Sequence, residues 1–429
     1  MILRKLLNLY GLRRNLRLEP SEMQRMQTEK LREIIWHAYR NVPFYHAKFR
    51  SAGIKPDVIR TIEDLVKIPM TTKSEIQATP LNEMVARNVD VNGCVKNKTS
   101  GSTGIPLVTL VDKRTIDFDG AVWLRAFFEN GLRLRDRMVV ISDPRNFPKK
   151  RGWIQRLGIM RTKYFSIFDD AERQLSFLEE YKPDIIESYP SSLSILADAC
   201  KQYGNDVKPR LVFTLAELLD KNSRKFISSL FEAELFDYYA SSEFSLMAWE
   251  CREHTGYHMN ADSVIMELVN NGEAVAPGER GEIICTSLVN HAMPLIRYRI
   301  GDVGVNSGEQ CSCGITLPLM KIMEGRADDF LIALDGRIIP PTVFFPYPFE
   351  NYEGIKQFRV IQERRDKLTI QLAVKESFLN DAQVFEKAKK KILELFGEGM
   401  QVYFEILEQI NRDPTGKLRK VISHVPIKL

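Results

Sequence analysis

Two periodicities alternate along the chain. Residues 21–53 open with a helical pattern that puts Leu31, Ile34, Ile35 and Ala38 on one face, with Ser21 positioned to cap its start and Pro43 to end it. From 137 onward, short apolar runs each finish in polar residues: RMVVIS (137–142), DIIESYP (184–190), RLVFTLA (210–216) and ELFDYYA (234–240). Helical patterns separate them. In SSLSILADACKQYG (191–204), Leu193, Leu196, Ala197 and Cys200 line one face, Ser191 or Ser192 can cap, and Gly204 stops the helix. Strands alternating with helices predict a parallel sheet whose ligand-binding loops lie at the strands' carboxyl ends.

From about 263 the texture changes. SVIMELVN, NGEAVAPGERG and EIICTSL read as strand, turns and strand, hence an antiparallel region. After GRADD (325–329) it changes again: QFRVIQERRDKLTIQLAV predicts a hairpin, AQVFEKAKKKILELFG an amphipathic helix and QVYFEILEQI a strand. That last portion makes a small α+β domain. The expected architecture is therefore α/β, with parallel-type sheets, helices and an antiparallel region in residues 1–327, and a separate unit in 328–429.

Composition narrows the class without naming it. Hydrophobic residues at 44% and charged residues at 27% are ordinary for a globular protein, and a net charge of +5 is small over 429 residues. No aromatic and basic repeat suggests a nucleic-acid platform, and no nucleic-acid partner is expected. Six scattered cysteines are no disulfide framework and point to a reducing cytoplasm. The first residues, MILRKLLNLYGLRRNLRLEP, could set Leu3, Leu6, Leu7 and Tyr10 on one helical face with Arg4, Lys5, Arg13, Arg14 and Arg17 around it. The run is too short for a membrane span and lacks the pattern of a signal peptide. Packing on the protein's own core is the expectation, and peripheral contact with an anionic membrane surface is the alternative.

Candidate chemistry begins at NKTSGSTGIPLVTL (97–110), where small hydroxyls and glycines precede a β-branched run. Glycine lets backbone approach a ligand closely, and successive N–H groups with hydroxyls beside them can form an anion-binding nest. It is not a Walker A loop, because Ile105 and Pro106 follow Gly104. Four further polar motifs follow in order: YYASSE (238–243), RYRIGD (297–302), GRADD and NRDPTGKLRK (411–420). Each alone suits a strand end, a salt-bridged hairpin, a charged linker or a solvated tail.

Taken together, the five resemble the adenylate-forming ligases, and within them the phenylacetate–CoA ligase family, including its shorter members from capsule and surface-polysaccharide loci. NVPFYHAKFRSAGI (41–54), LAELL and PLIRYRIGD add to a resemblance that covers nearly the whole chain. It implies a large nucleotide- and acid-binding domain and a small mobile C-terminal one. It also implies that Ser100, Gly101, Ser102, Thr103 and Gly104 hold the β- and γ-phosphates of ATP. Ala216 and Glu217 would border the adenine, Tyr239 would stack on it, and Ser242 would contact the α-phosphate. Glu243 would hold Mg²⁺, a hard ion suited to carboxylate and phosphate oxygens. Asp302 would accept from the ribose hydroxyls and Arg326 would touch ribose or phosphate. Asp328 would be the hinge, and Lys417 the lysine that enters for adenylation, while Lys420 is expected to stand apart from the chemistry. The implied activity is ATP-dependent activation of a small carboxylic acid through an acyl-adenylate, with transfer to CoA. Transfer to an amine, sugar or carrier protein is the alternative acceptor chemistry, and a non-catalytic nucleotide-binding protein is a second alternative.

Leu218 stands where the family usually has Pro, and Ile300 where Thr is common. The segment 143–170 does not resemble the Gly- and aromatic-rich lining of the family's acid pocket, so the resemblance leaves the acid open; Tyr189, in SYPSSL, is expected to face that pocket. Finally, ECREHTGYH supplies Cys251, His254 and His258, and CSCG supplies Cys311 and Cys313. If the two segments meet, three thiolates and one imidazole complete a closed tetrahedral Zn²⁺ site. Some family members resemble this pattern and carry structural zinc. Either histidine could complete it.

Overall fold

The computed structural model describes residues 2–98, 106–148, 155, 157–326, 329–341, 354–375 and 382–426. Its contacts form two units, Met1–Leu132 with Tyr238–Met323, and Arg133–Asp237 with Glu324–Lys428.

In the first unit, the helix Pro20–Asn41 starts one residue earlier than the pattern predicts. Glu19, not Ser21, occupies the cap, in a reciprocal capping box with Glu22. Leu31, Ile34, Ile35 and Ala38 are all fully enclosed against Tyr45, Phe49 and Ile296. Pro43 ends this helix and also opens the next, Pro43–Ser51, because a proline at the first helical position gives up an N–H that would be unpaired anyway. The sheet of this unit runs, in spatial order, Glu273–Ala274, Val264–Asn270, Arg280–Ser287, Tyr298–Asn306, Leu319–Arg326, Tyr257–Met259, Ser245–Glu250 and the end of Glu234–Ser241. The pairings Val264–Asn270 with Arg280–Ser287 and Glu234–Ser241 with Ser245–Glu250 are antiparallel, as the alternating patterns require.

The helix Lys113–Glu129 carries Arg125, which is fully buried and bonded through Nη1 to Asp262 Oδ2 at 2.5 Å. Its Nη2 reaches Asn260 Oδ1 at 2.7 Å, and the Trp249 indole donates to the same oxygen at 3.0 Å. The N-terminal helix Ile2–Asn15 forms as predicted and lies on Lys113–Glu129, held by Arg4–Asp117 (3.7 Å) and Arg13–Glu129 (3.0 Å). Its inward face is not the predicted one. Leu12 and Leu16 are buried, whereas Leu3, Leu6, Leu7 and Tyr10 point into solvent.

In the second unit, Arg161–Ser166, Arg137–Ser142, Ile185–Ser188 and Leu211–Leu215 form a parallel sheet in that order. Val139, Ile141, Ile186 and Val212 project from one face into a core completed by Leu175, Leu193, Leu196 and Ile227 from three helices. The helix Pro190–Tyr203 ends at Gly204, whose φ of 71° gives the left-handed turn that lets its N–H reach back to the Cys200 carbonyl. Neither Ser191 nor Ser192 caps it. Tyr189 holds the cap position without a side-chain bond, and the Ser191 N–H is taken by Glu217 from another segment. The C-terminal part of this unit is a four-stranded sheet ordered Gln401–Leu407, Lys367–Val374, Ile355–Arg364 and Val421–Ser423, with the predicted hairpin at its centre. The helix Ala382–Phe396 buries Ala388, Ile392 and Phe396, and Leu218 packs against the same core.

Candidate active site and thiol cluster

The strand Glu234–Ser241 turns into Ser245–Glu250 through Ser242, Glu243 and Phe244. The turn is fixed locally: Phe244 N donates to Ser241 Oγ at 3.1 Å, and the Trp123 indole holds Ser245 Oγ at 3.0 Å. A register shift between Tyr239 and Ala240 re-aims the strand end, the usual effect of a bulge beside a site. Opposite, Gly301 takes a φ of 83° inside Tyr298–Asn306 and is followed at once by Asp302.

These two motifs, 63 residues apart, meet. The Tyr239 hydroxyl donates to Asp302 Oδ2 at 2.7 Å, and the Tyr298 hydroxyl donates to Glu243 Oε1 at 3.4 Å. The carbonyl of Ser242, next to Glu243, accepts from Asn97 Nδ2 at 3.4 Å. The field here is strongly negative. Burial first, and then the carboxylates of Asp302, Glu243 and Glu267, push the Cys285 thiol far above its ordinary range. Two carboxylates in such a field suit a cationic or hydrogen-bond-donating ligand.

A second group of predicted residues lies in the other unit. Ala216 ends the strand Leu211–Leu215 with a φ of 69°, a left-handed conformation costly for a residue with a Cβ and concentrated at functional sites. The turn presents Glu217, whose Oε1 accepts from Ser191 Oγ at 2.9 Å and from Leu418 N at 2.7 Å. Thus Glu217 ties the NRDPTGKLRK segment to the start of Pro190–Tyr203. Arg412 Nη1 donates to Ser191 Oγ at 3.0 Å and to the Gly416 carbonyl at 2.7 Å, and Arg145 Nη2 donates to the Pro414 carbonyl at 2.5 Å.

The Lys420 Nζ meets Asp220 Oδ2 at 2.9 Å and Ser223 Oγ at 3.3 Å. Lys417 sits in a loop organised by Asp413. Asp413 Oδ1 accepts from Thr415 N (2.8 Å), Thr415 Oγ1 (2.6 Å) and Lys417 N (3.0 Å). Gly416 has a φ of 82° and lies so close to Ile167 that a Cβ would come within 2.5 Å of its side chain. Tyr189 is buried, and burial followed by the Asp143 and Glu217 charges pushes it up to about 12. Arg326 ends the strand Leu319–Arg326. Ser100, Gly101, Ser102, Thr103, Gly104 and Asp328 lie outside the described residues.

Asp413, Arg412, Asp220 and Tyr298 were not singled out from sequence, and Ser191 was read only as a helix cap. The D-P-T-G string carried a readable signal for Asp413, since Asp commonly bonds its own backbone two residues on. Ser191 and Asp220 meet partners some 200 residues away and left no local trace.

The thiol cluster is built on the antiparallel region. His258, in the strand Tyr257–Met259, faces Leu319 of the neighbouring strand, and Cys251 follows Ser245–Glu250. Side-chain donor atoms of Cys251, His258, Cys311 and Cys313 all lie within 4.8 Å of one another. Cys251 Sγ is 3.6 Å from Cys311 Sγ, and Cys313 Sγ is 3.4 Å from His258 Nε2. A tetrahedron with Zn–S of about 2.3 Å and Zn–N of about 2.05 Å has S···S and S···N edges of roughly 3.8 and 3.5 Å. The donor set and its edges therefore fit zinc with no open position. His254 is not among the four; its Nδ1 lies 3.6 Å from a Glu250 carboxylate oxygen. Burial holds His258 neutral, pushing it down to about 4, the state an imidazole needs to ligate.

The fold, with its separate small C-terminal element, is that of the adenylate-forming ligases. Among solved structures, a 2-hydroxyisobutyryl-CoA ligase in the postadenylation state, in complex with R3-HIB-AMP, superposes with a TM-score of 0.80 at 20% identity, covering 96% of this chain and 91% of that one. A phenylacetate–coenzyme A ligase of Escherichia coli K12 is 30% identical over 380 residues, 83% of this chain and 84% of the relative. Another from Thermus thermophilus is 26% identical over 94% and 96% of the two chains. Residues 331–424 match the family model described as the CapK C-terminal domain. The chain belongs to the phenylacetate–CoA ligase family.

Proposed function

We propose that the protein activates a carboxylic acid with ATP to an acyl-adenylate and passes the acyl group to CoA. The observation that carries this reading is the bonded pair Tyr239–Asp302, with Glu243 held by Tyr298 beside it. Residues from two distant motifs form one acidic wall whose chemistry suits a ribose and a metal-bound phosphate. In the adenylation step a substrate carboxylate oxygen attacks the α-phosphorus of ATP and the bond to pyrophosphate breaks. Two anions approach, so the step needs cations preorganised where charge develops. Lys417 supplies one as a compact point charge. A Mg²⁺ ion held through Glu243 would screen the phosphates. Asp302 accepts from the ribose hydroxyls, exchanging the Tyr239 hydroxyl for them, and the freed Tyr239 ring stacks on the base. Ser242 and the 100–104 loop take phosphate oxygens, and Arg326 steadies the ribose or phosphate. Residues 328–429 then turn about Asp328, removing Lys417 before the thiol arrives.

Cys251, His258, Cys311 and Cys313 would hold a structural zinc, which supplies folding energy and takes no part in the reaction. The curated relatives are named for phenylacetate, which makes an arylacetic acid the first substrate to test. The resemblance to the shorter members from capsule and surface-polysaccharide loci supports a second reading for the acceptor, an amine, a sugar or a carrier protein. A panel of carboxylic acids read by pyrophosphate release, followed by AMP release with each acceptor, tests both. Acid-dependent pyrophosphate release is expected. Its absence across aryl, alkyl and hydroxy acids would overturn the ligase reading.

A further inference from the structure

The chain has 61 lysines and arginines against 56 aspartates and glutamates, a net charge of +5. Arg4, Lys5, Arg13, Arg14 and Arg17 fall within the first 18 residues, which contain no acid. The whole excess is therefore held in this one segment, and the rest of the chain is balanced. The same segment carries the unpartnered apolar face. Leu3, Leu6, Leu7 and Tyr10 are 71, 55, 64 and 76% exposed. Leu3, Leu7, Tyr10 and Arg14 follow the i, i+4, i+7, i+11 stripe of the helix Ile2–Asn15, with Leu6 beside them and Arg17 just beyond. The opposite face is engaged, with Leu12 buried, and the flanks are held as Arg4 and Arg13 pair with Asp117 and Glu129. Among the described residues, Arg14 and Arg17 form no ion pair. An apolar stripe about 10 Å long, from Leu3 to Tyr10, that is followed by two uncommitted guanidinium groups has the make-up of a helix lying in a membrane interface.

We propose that Ile2–Asn15 docks the protein on an anionic lipid surface, with Leu3, Leu6, Leu7 and Tyr10 in the acyl boundary and Arg14 and Arg17 on headgroup phosphates. The charge favours lipid over a second copy of the chain, because an isologous pair of these helices would bring like charges together. The inference is independent of the acid that the enzyme activates.

Co-sedimentation of the full chain with phosphatidylcholine vesicles, alone or mixed with phosphatidylglycerol, tests it. At roughly fivefold per basic residue near the surface, Arg14 and Arg17 should give partitioning about 25-fold stronger onto the anionic vesicles, weakening with salt. Arg14→Glu with Arg17→Glu should lose most of that preference. Leu6→Ser with Leu7→Ser should release the protein from both vesicle types without changing its melting temperature or its ligase activity in solution. Equal partitioning onto both vesicles, unchanged partitioning in the variants, or a solution dimer that Leu6→Ser with Leu7→Ser dissociates would each overturn the proposal.

Discussion

Lys420→Ala separates the two half-reactions by a contact rather than by chemistry. The substitution removes the Nζ that donates to Asp220 Oδ2 at 2.9 Å, in a pair whose side chains are 17 and 7% exposed. Asp220 keeps its bonds from Asn222 N (3.0 Å), Ser223 N (2.9 Å) and Ser223 Oγ (2.6 Å), so the helix Lys221–Phe231 retains its cap. What is lost is chiefly the charge-assisted bond to Asp220, with the longer contact to Ser223 Oγ at 3.3 Å and the approach to the Phe358 ring; the Asp220 bond is about 1.5–3 kcal/mol in a fully buried form and about 1–2 kcal/mol here after allowing for residual exposure. If residues 328–429 turn between steps, this bond belongs to one arrangement only. Its loss then lowers adenylation by roughly 5–30-fold, read as pyrophosphate release from ATP and acid. Reaction of prepared acyl-adenylate with thiol should stay near the wild-type rate. Lys417→Ala should show the same asymmetry at roughly 10²–10³-fold, because it removes a charge from the transition state itself. An equal fall in both half-reactions for Lys420→Ala, or no fall in adenylation, would refute the account.

Glu243→Ala should abolish Mg·ATP-dependent adenylation with an unchanged melting temperature; turnover at the wild-type level would remove Glu243 from the site. Cys311→Ser, or purification with a strong chelator, should lower the melting temperature far more than it alters the rate per folded molecule, and metal analysis of untreated protein should find one zinc per chain. Glu187 lies on the strand Ile185–Ser188, and burial pushes it up to about 7. A carboxyl raised in the folded state costs no stability below its unfolded value near 4.5 and progressively more as pH climbs toward 7. Glu187→Gln should thus raise stability at pH 8 relative to pH 4 by about 1–2 kcal/mol, less than the full shift implies because the side chain keeps some solvent contact; a pH-independent difference in denaturation midpoints would contradict the burial argument.

The periodic elements were legible because burial wrote them into the sequence. Leu193, Leu196, Ala197 and Cys200 had to recur at helical spacing to reach one core, and RMVVIS, flanked by helices, had to be apolar on both faces. Cap residues were less legible. Serines suit a helix start, but Glu19 and Tyr189 hold those positions, and the Ser191 N–H is taken instead by Glu217 from 26 residues away. The N-terminal helix was read correctly as a helix and wrongly in its facing, since periodicity gives the angle between residues and not which side meets the protein. Among the motif residues, Tyr239, Glu243 and Asp302 come together, but the Tyr298 bond to Glu243 joins two motifs, and the Trp123 bond to Ser245 beside them comes from a helix; both became visible only when those elements met. The choice between His254 and His258 is of the same kind. The sequence left both open, but strand pairing turns His258 toward Cys313 and leaves His254 beside Glu250.

The knot around Asp413 bears on how often the enzyme can turn over. Its carboxylate holds Thr415 and Lys417, and the main chain closes on itself through Gly416 N to Asp413 O and Asp413 N to Lys417 O, each at 2.9 Å. A loose loop of five residues would have to be ordered anew each time its lysine arrived, at about 1–2 kcal/mol of backbone entropy per residue. A loop already knotted travels as a rigid body and arrives ordered. If Lys417 acts as proposed, its local concentration at its target would be set by the motion of the element that carries it, and only its own side-chain rotamers would remain to be fixed at each visit.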